Sequence, residues 1–281
     1  MREVLGPFDL EWTRGPRDAE RIAREAARDG AARIVVAGGD GTVSEVASGL
    51  LQAGLGDAVD LALLPLGTGA DLPRGVGVPQ GLGPALQAIA RGRRRRIDAG
   101  RIHYLAADGR PCTACFVNVA SFGLGGLVAE RVNRGSKRLG GRLAFLLGTL
   151  RALMRFTPEP VRISLDGEAI FQGPLTLGAA ANGTTFGGGM LVAPGAQPDD
   201  GLLDVVIVRG TDRTTLLRRL PRVYRGTHLA LPEVRAYRGR CLEATSSGAQ
   251  VWIEVDGESL GTLPVRVEVL PGALRLVGVV G

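Results

Sequence analysis

Three short clusters in this 281-residue chain carry residue types that could act on an anion. The first is Gly38-Gly39-Asp40-Gly41-Thr42, directly after the apolar run Ile34-Val35-Val36-Ala37 and directly before a helical pattern over Val43–Leu51. A buried strand that ends in glycines and opens into a helix presents backbone N–H groups and the positive end of a helix dipole to an anion. Gly38, Gly39 and Gly41 let the backbone approach closely, while Asp40 adds a carboxylate where a metal–phosphate complex could sit. The second cluster, Leu66-Gly67-Thr68-Gly69-Ala70-Asp71, is another glycine turn after another apolar run. Two such turns at the carboxyl ends of strands in one parallel sheet converge on the same edge. The third, Asp256-Gly257-Glu258, places two acids at a spacing that an extended strand would point to one face. Asp-Gly is also a strong hairpin signal, and Asp166-Gly167-Glu168 repeats the tripeptide, so residue chemistry alone leaves the two copies equivalent.

The elements that must hold these clusters divide the chain in two. Up to residue 98, strand patterns at Phe8–Thr13, Ile34–Ala37 and Leu61–Pro65 alternate with helical patterns at Asp18–Asp29, Val43–Ala53 and Pro84–Arg91, which predicts an α/β domain with a parallel sheet. From residue 99 to 281 the texture changes to short β-prone runs: Cys115–Val119, Val161–Leu165, Leu175–Ala181, Leu203–Val208, Gln250–Val255, Val265–Leu270 and Leu274–Val280. Helical inserts at Gly126–Phe156 and Thr211–Tyr224 interrupt them. The expectation is a β-rich, antiparallel, sandwich-like second domain with a ligand cleft between the halves. The insert at Gly126–Phe156 is basic and amphipathic, with Arg138, Arg142, Arg151 and Arg155 flanking leucines, a pattern suited to an anionic membrane surface as well as to ordinary packing.

Composition narrows the chemistry further. The net charge of +6 is almost wholly arginine, Lys137 being the one lysine, so a P-loop of the Gly-x-x-x-x-Gly-Lys type is absent. Cys112, Cys115 and Cys241 make no disulfide framework, and the lone Cys-x-x-Cys reads as buried thiols in a reducing cytosol. The longest apolar stretch, Leu143–Leu150, is about half of what a membrane-spanning helix needs.

Further ordered motifs complete the pattern: Asn182-Gly183-Thr184-Thr185-Phe186-Gly187-Gly188-Gly189-Met190, Ala193-Pro194, Pro198-Asp199-Asp200-Gly201-Leu202-Leu203-Asp204-Val205, and Val255-Asp256-Gly257-Glu258 followed by Leu263-Pro264. With the two glycine turns, this set resembles the bacterial diacylglycerol-kinase-like lipid kinases, a superfamily that includes sphingosine and ceramide kinases, over nearly the whole chain. The resemblance implies an NAD-kinase-like nucleotide-binding domain over residues 1–98 and a β-rich lipid-substrate domain over 99–281. It implies ATP and Mg²⁺ as cofactors, with transfer of the γ-phosphoryl group to a lipid hydroxyl of diacylglycerol or a related lipid. Carried over by position, Gly38, Gly39, Asp40, Gly41 and Thr42 contact the nucleotide phosphates, and Gly67 with Thr68 form a second wall. Asp256 matches the general base and Glu258 its acidic partner, the copy at Asp166 lacking the Leu-Pro tail. Asp200, with the backbone near Leu202, matches a structural Mg²⁺ position. The implied partners are a lipid substrate and an anionic membrane surface, bound peripherally from the cytoplasm. A homodimer is compatible with this pattern, and nucleic acid is not implied.

Four departures bear on this transfer. The family's first strand, ending in Asn-Pro-x-Ser/Ala-Gly, is not in this chain, which would leave an unpaired sheet edge. Ser44 and Ser48 stand where the family has Asn, and Ala70 replaces the Asn before Asp71, which removes side-chain hydrogen bonds from the nucleotide wall. Two rival readings follow: a soluble-substrate kinase of the NAD-kinase type, which shares the Gly-Gly-Asp-Gly turn, and a catalytically impaired family member that binds lipid or nucleotide.

Overall fold

A computed structural model describes residues 2–66, 70–106, 108–134, 156–248 and 250–279. After a short helix α1 (Arg2–Leu5), helix α2 (Asp18–Arg28) presents a stripe of Ala19, Ala23 and Ala27 to the core, one residue per helical turn. The stripe lies on α3 (Asp40–Gln52), where Gly49 has no side chain to spare: a Cβ there would come within 2.3 Å of the Glu20 carbonyl oxygen. The expected strand at Phe8–Thr13 is absent. That segment is irregular, and Leu10 and Trp12 stand exposed, because no neighbouring strand supplies a ladder to it among the described residues.

Strands β1 (Arg33–Gly38) and β2 (Asp60–Pro65) pair in parallel, Ile34 opposite Leu61. Helices α2 and α3 cover one face of this pair. After the one-turn helix α4 (Asp71–Gly75), α5 (Leu82–Arg91) covers the other face with Ala85, Leu86 and Ile89. The sheet continues through the end of the chain: the C-terminal part of β12 (Glu258–Val277) runs parallel to β2, and β3 (Arg94–Leu105) runs antiparallel to β12 along most of its length. The order β1–β2–β12–β3 leaves β1 at the edge. The expected strands Val265–Leu270 and Leu274–Val280 are thus one long strand. The Pro271-Gly272-Ala273 interruption is a shift in register, and the buried Asp98 carboxylate accepts the Gly272 N–H at 2.7 Å there.

The remaining strands are β4 (Pro111–Phe116), β5 (Val119–Gly123), β6 (Glu159–Leu165), β7 (Glu168–Ala181), β8 (Leu203–Arg209), β9 (Val234–Gly239), β10 (Cys241–Ser246) and β11 (Trp252–Val255). Antiparallel pairing runs β12–β10–β6–β7–β5–β11 and returns to β12, so what the sequence pattern suggests is a sandwich closes into a ring. Strand β4 extends from β3, and β8 with β9 extends from β7. Ile163, Leu203, Leu242 and Ile253 fill the interior. Helix α6 (Leu124–Arg134) packs on β11, where Gly126 allows contact: a Cβ there would lie 2.2 Å from the Trp252 carbonyl oxygen. Only the first part of the expected insert Gly126–Phe156 is thereby seen; Arg138, Arg142, Arg151 and Arg155 lie outside the described residues. Helix α7 (Arg213–Tyr224) starts at an Asp212 cap whose carboxylate accepts the Thr215 N–H.

Candidate active site

Helix α3 begins at Asp40, so Asp40, Gly41 and Thr42 form its first turn instead of the loop before it. Its N-cap is Gly39, which offers no side-chain partner to the first amides, and a Cβ at Gly41 would meet nothing within 4 Å. The helix end is therefore open to an anion. Asp40 reaches across to the second glycine turn, accepting the Asp71 N–H at 3.1 Å and the Leu72 N–H at 3.4 Å, and so caps α4. Burial pushes the Asp40 carboxyl above its ordinary range, and the nearby Asp71 charge adds to this. Asp71 in turn accepts from Arg74 at 2.6 Å and from the Gly188 N–H at 3.0 Å. Gly187, Gly188 and Gly189 have φ of 61°, 82° and 105°, a run that side-chain-bearing residues rarely adopt. Two carboxylates thus tie together the first glycine turn, the second, and the Phe186–Met190 loop. Gly67 and Thr68 lie outside the described residues.

Asp256 and Gly257 are themselves the β11–β12 turn, with φ of 48° and 89°. This overturns the extended reading in which Asp256 and Glu258 share a strand face: positive φ at both positions reverses the chain between them. The Asp256 carboxylate accepts four hydrogen bonds, from the N–H groups of Val117 (3.0 Å), Asn118 (3.1 Å) and Val119 (3.0 Å) and from Ser44 Oγ (2.8 Å). Burial raises its pKa and these donors pull it back. Glu258 opens β12 with exposed surface, and its carboxyl is raised first by partial burial and then by the charge of Glu45 on α3. It is not among the residues lining the cavity described next.

A cavity of about 730 Å³ extends from this turn into the second domain. Its polar end is formed by Asp40, Asp71, Asn118, Glu254 and Asp256. Beyond them the wall is apolar, built by Leu124 and Val128 of α6, Val206 and Val208 of β8, and Leu220 and Val223 of α7. The volume lies within the range of about 300–1,000 Å³ common for small-molecule sites. His228 borders the cavity as a neutral ring: burial lowers its pKa, Nε2 bonds to the Val192 carbonyl at 3.0 Å, and Nδ1 has no partner.

Glu254 was not legible as a site residue. Its side chain is 2% exposed, accepts Ser121 Oγ at 2.6 Å and the Gly257 N–H at 2.8 Å, and its pKa is pushed up to about 7 by burial. The available signal was a charged residue inside the apolar strand Val251-Trp252-Ile253-Glu254-Val255. Ser44, visible in the sequence only as a departure from a family pattern, joins α3 to Asp256, and Ser48 Oγ likewise donates to the Cys115 carbonyl at 3.3 Å.

Asp200 lies elsewhere. One carboxylate oxygen accepts the Leu202 N–H at 3.0 Å and the other pairs with Arg238, which also approaches Asp204 at 3.6 Å. The guanidinium stands where a cation would be needed, and among the described residues no group of three or more His, Cys, Asp or Glu is arranged to hold a metal ion. As built, Asp200 and Leu202 do not fit Mg²⁺. Cys112, Cys115 and Cys241 are free thiols. At the start of β3, Arg94 joins Arg33 and Arg275 around the buried Asp60 and holds its pKa down at about 2.

An open helix terminus linked by carboxylates to an apolar cavity lies where a parallel sheet meets a β-ring. Comparison with known proteins gives the family. Residues 1–102 match the diacylglycerol kinase catalytic domain, and residues 118–278 match the YegS C-terminal NAD kinase beta sandwich-like domain. A diacylglycerol kinase of Mycobacterium tuberculosis is 34% identical over 260 residues, covering 92% of this chain and 81% of that protein. A Salmonella paratyphi A protein named "Probable lipid kinase YegS" is 31% identical over 279 residues, covering 95% and 84%. In fold, the chain is similar to the crystal structure of a diacylglycerol kinase from Bacillus anthracis (TM-score 0.71, 22% identity, covering 98% and 86%). It is also similar to yeast NADH kinase (TM-score 0.50, 12% identity, covering 95% and 81%). The chain belongs to the diacylglycerol kinase/YegS lipid kinase family.

Proposed function

We propose that the protein transfers the γ-phosphoryl group of ATP to the hydroxyl of diacylglycerol or a related lipid, with residues 1–98 carrying the nucleotide and 99–281 the lipid. One observation carries this reading: the apolar cavity ends on the carboxylates that adjoin the open terminus of α3. A lipid seated there puts its hydroxyl between Asp256 and the phosphate end of a nucleotide. The rival soluble-substrate reading leaves that apolar wall without an occupant.

The residues present fit a phosphate group. Gly38, Gly39, Gly41 and Thr42 offer backbone donors at the α3 terminus and Asp40 a carboxylate beside them. Bound Mg²⁺–ATP would supply the transferable group and neutralise its charge. The chain's own contribution is positioning and one proton. The Ser44 hydroxyl is the only rotatable donor among the four on Asp256, so a lipid hydroxyl can take its place at Oδ2. On transfer the lipid oxygen would bond to the γ-phosphorus as the bond from that phosphorus to the bridging oxygen breaks and ADP leaves; the part of this chain is to take the hydroxyl proton at Asp256 and pass it to water. The adjacent Glu254 holds two donors against four on Asp256, and burial pushes its pKa up to about 7, so of the two carboxyls Glu254 is the one less well stabilised as an anion. Glu258, beside Glu45, serves the nucleotide side, and no step runs through Asp200. The protein acts peripherally at an anionic lipid surface, as a single chain or a homodimer.

Incubation with γ-labelled ATP, Mg²⁺ and lipid in nonionic micelles tests this. The expected result is a labelled phospholipid that Asp256→Asn reduces by about 10²–10⁴-fold. Label on NAD, or lipid phosphorylation that survives in Asp256→Asn, would overturn the reading.

A further inference from the structure

Helix α7 is unusual in how little of it is covered. None of its 12 residues is buried, although an Asp212 cap and an apolar side fix it in place. Leu216, Leu220 and Val223 form the outer wall of the cavity, and Arg219 is committed to Glu233 on the loop before β9. Leu217 and Tyr224, 38% and 42% exposed, lie on the flank of α7, Tyr224 at the edge of the cavity, and exposed Arg218, Arg222 and Arg225 face away from the cavity. The side chains of those three arginines form no hydrogen bond or ion pair among the described residues, and Asp212 is the only acid from residue 212 to 225. Apolar side chains set among uncommitted cations, on a helix one layer from a lipid-sized cavity, match an anionic bilayer surface in both charge and depth.

We propose that α7 is the membrane-docking element, which seats the cavity wall on an anionic leaflet so that the lipid passes from bilayer to cavity beside this helix. The inference rests on the lipid-substrate reading for its purpose, but the docking itself is measured separately. Arg218, Arg222 and Arg225 bind headgroup phosphates while Leu217 and Tyr224 enter the interface. Arg219 and the apolar wall stay with the cavity.

The test is co-sedimentation of the full chain with vesicles of phosphatidylglycerol and phosphatidylcholine, compared with vesicles of phosphatidylcholine alone. The triple variant Arg218→Glu, Arg222→Glu, Arg225→Glu is run beside it. Each basic residue at such a surface strengthens binding about fivefold, so loss of three predicts a decrease of at least about 100-fold. Leu217→Ser should weaken binding to anionic vesicles several-fold without altering its salt dependence. Equal binding of wild type and triple variant, equal binding to both vesicle types, or binding to nucleic acid or a second copy without vesicle binding would each overturn the proposal. Phosphorylation of micellar lipid, measured on the same preparations, shows that the variant is folded. It also separates the two readings: a wild type that binds vesicles but labels no lipid refutes the kinase, not the docking helix.

Discussion

Glu254 gives a quantitative test of the site. Its folded pKa is about 7 against an ordinary 4.5, a difference of about 2.5 units that corresponds to roughly 3 kcal/mol. The sign follows from the direction of the shift. Between those values the folded chain holds a proton that the unfolded chain has released, so the contribution of this group to stability is greatest below about pH 4.5, declines through the window and levels off above about pH 7. Glu254→Gln is neutral at every pH. Its amide oxygen can keep the Gly257 N–H, and its NH₂ can donate to Ser121 Oγ. The variant should therefore match the wild type below about pH 4.5, exceed it by about 1 kcal/mol at pH 5 and by roughly 3 kcal/mol at pH 8, the latter roughly 5–10 °C in Tm for a chain of this size. Activity should survive, since the variant copies the protonated form. The other acids to be weighed are Asp256 on the same turn, Glu258 at the start of β12, Glu130 on the helix packed against β11, and Asp40 and Asp71 at the same end of the cavity. Calorimetry of both proteins from pH 5 to pH 8 checks the reasoning. A Tm difference that stays flat across this range would refute it.

The buried Asp60 and its three arginines give the opposite sign. Its pKa falls from 3.8 to about 2, so its stabilising contribution, roughly 2 kcal/mol, is complete above about pH 4 and is lost as pH falls toward 2; urea denaturation should show Asp60→Asn weaker by that amount at pH 7 and equal at pH 2. Leu220→Trp narrows the cavity from a half-exposed helix position, and should raise KM for long-chain lipids at least about 10-fold while leaving a short-chain analogue nearly unaffected in the micelle assay. Gly126→Ala forces a Cβ against the Trp252 carbonyl and should lower stability by about 1–3 kcal/mol, read as a lower Tm.

What could be read from the chain was local or ordered along it. A glycine turn placed between an apolar run and a helical pattern located the open terminus of α3, and alternating elements located the β1–β2 pair. The alanine spacing of α2 was enough for a helix. What escaped depends on partners far away in sequence. Pro271-Gly272 looks like a strand end until Asp98, on β3, accepts the Gly272 amide and lets β12 run on into the parallel sheet. The ring closes only because β11 pairs with both β5 and β12, a fact that no local pattern encodes. The strand expected over Phe8–Thr13 failed for the converse reason: it had the alternation and found no ladder. Glu254 escaped because a charge in an apolar strand is legible only as an anomaly until Ser121 and the cavity stand beside it.

The two Asp-Gly-Glu copies show where local chemistry stops. Both fold as the same turn, with φ of 51° at Asp166 and 48° at Asp256, and each aspartate uses its carboxylate to gather successive backbone amides from a neighbouring segment. Asp166 takes the N–H groups of Arg240 and Cys241 at 2.9 and 2.8 Å, an exposed tie between the β6–β7 turn and the connection from β9 to β10. Asp256 takes those of Val117, Asn118 and Val119, and adds a hydroxyl from α3 in the other half of the chain. In both places the carboxylate fixes a turn against its neighbour. In the second, the amides that hold it also bring it to the seam between the open helix terminus and the apolar cavity. There one of its four donors is a rotatable hydroxyl, that of Ser44. A carboxylate fixed by three backbone amides and one hydroxyl arises here from a turn whose sequence is the same as that of a plain hairpin.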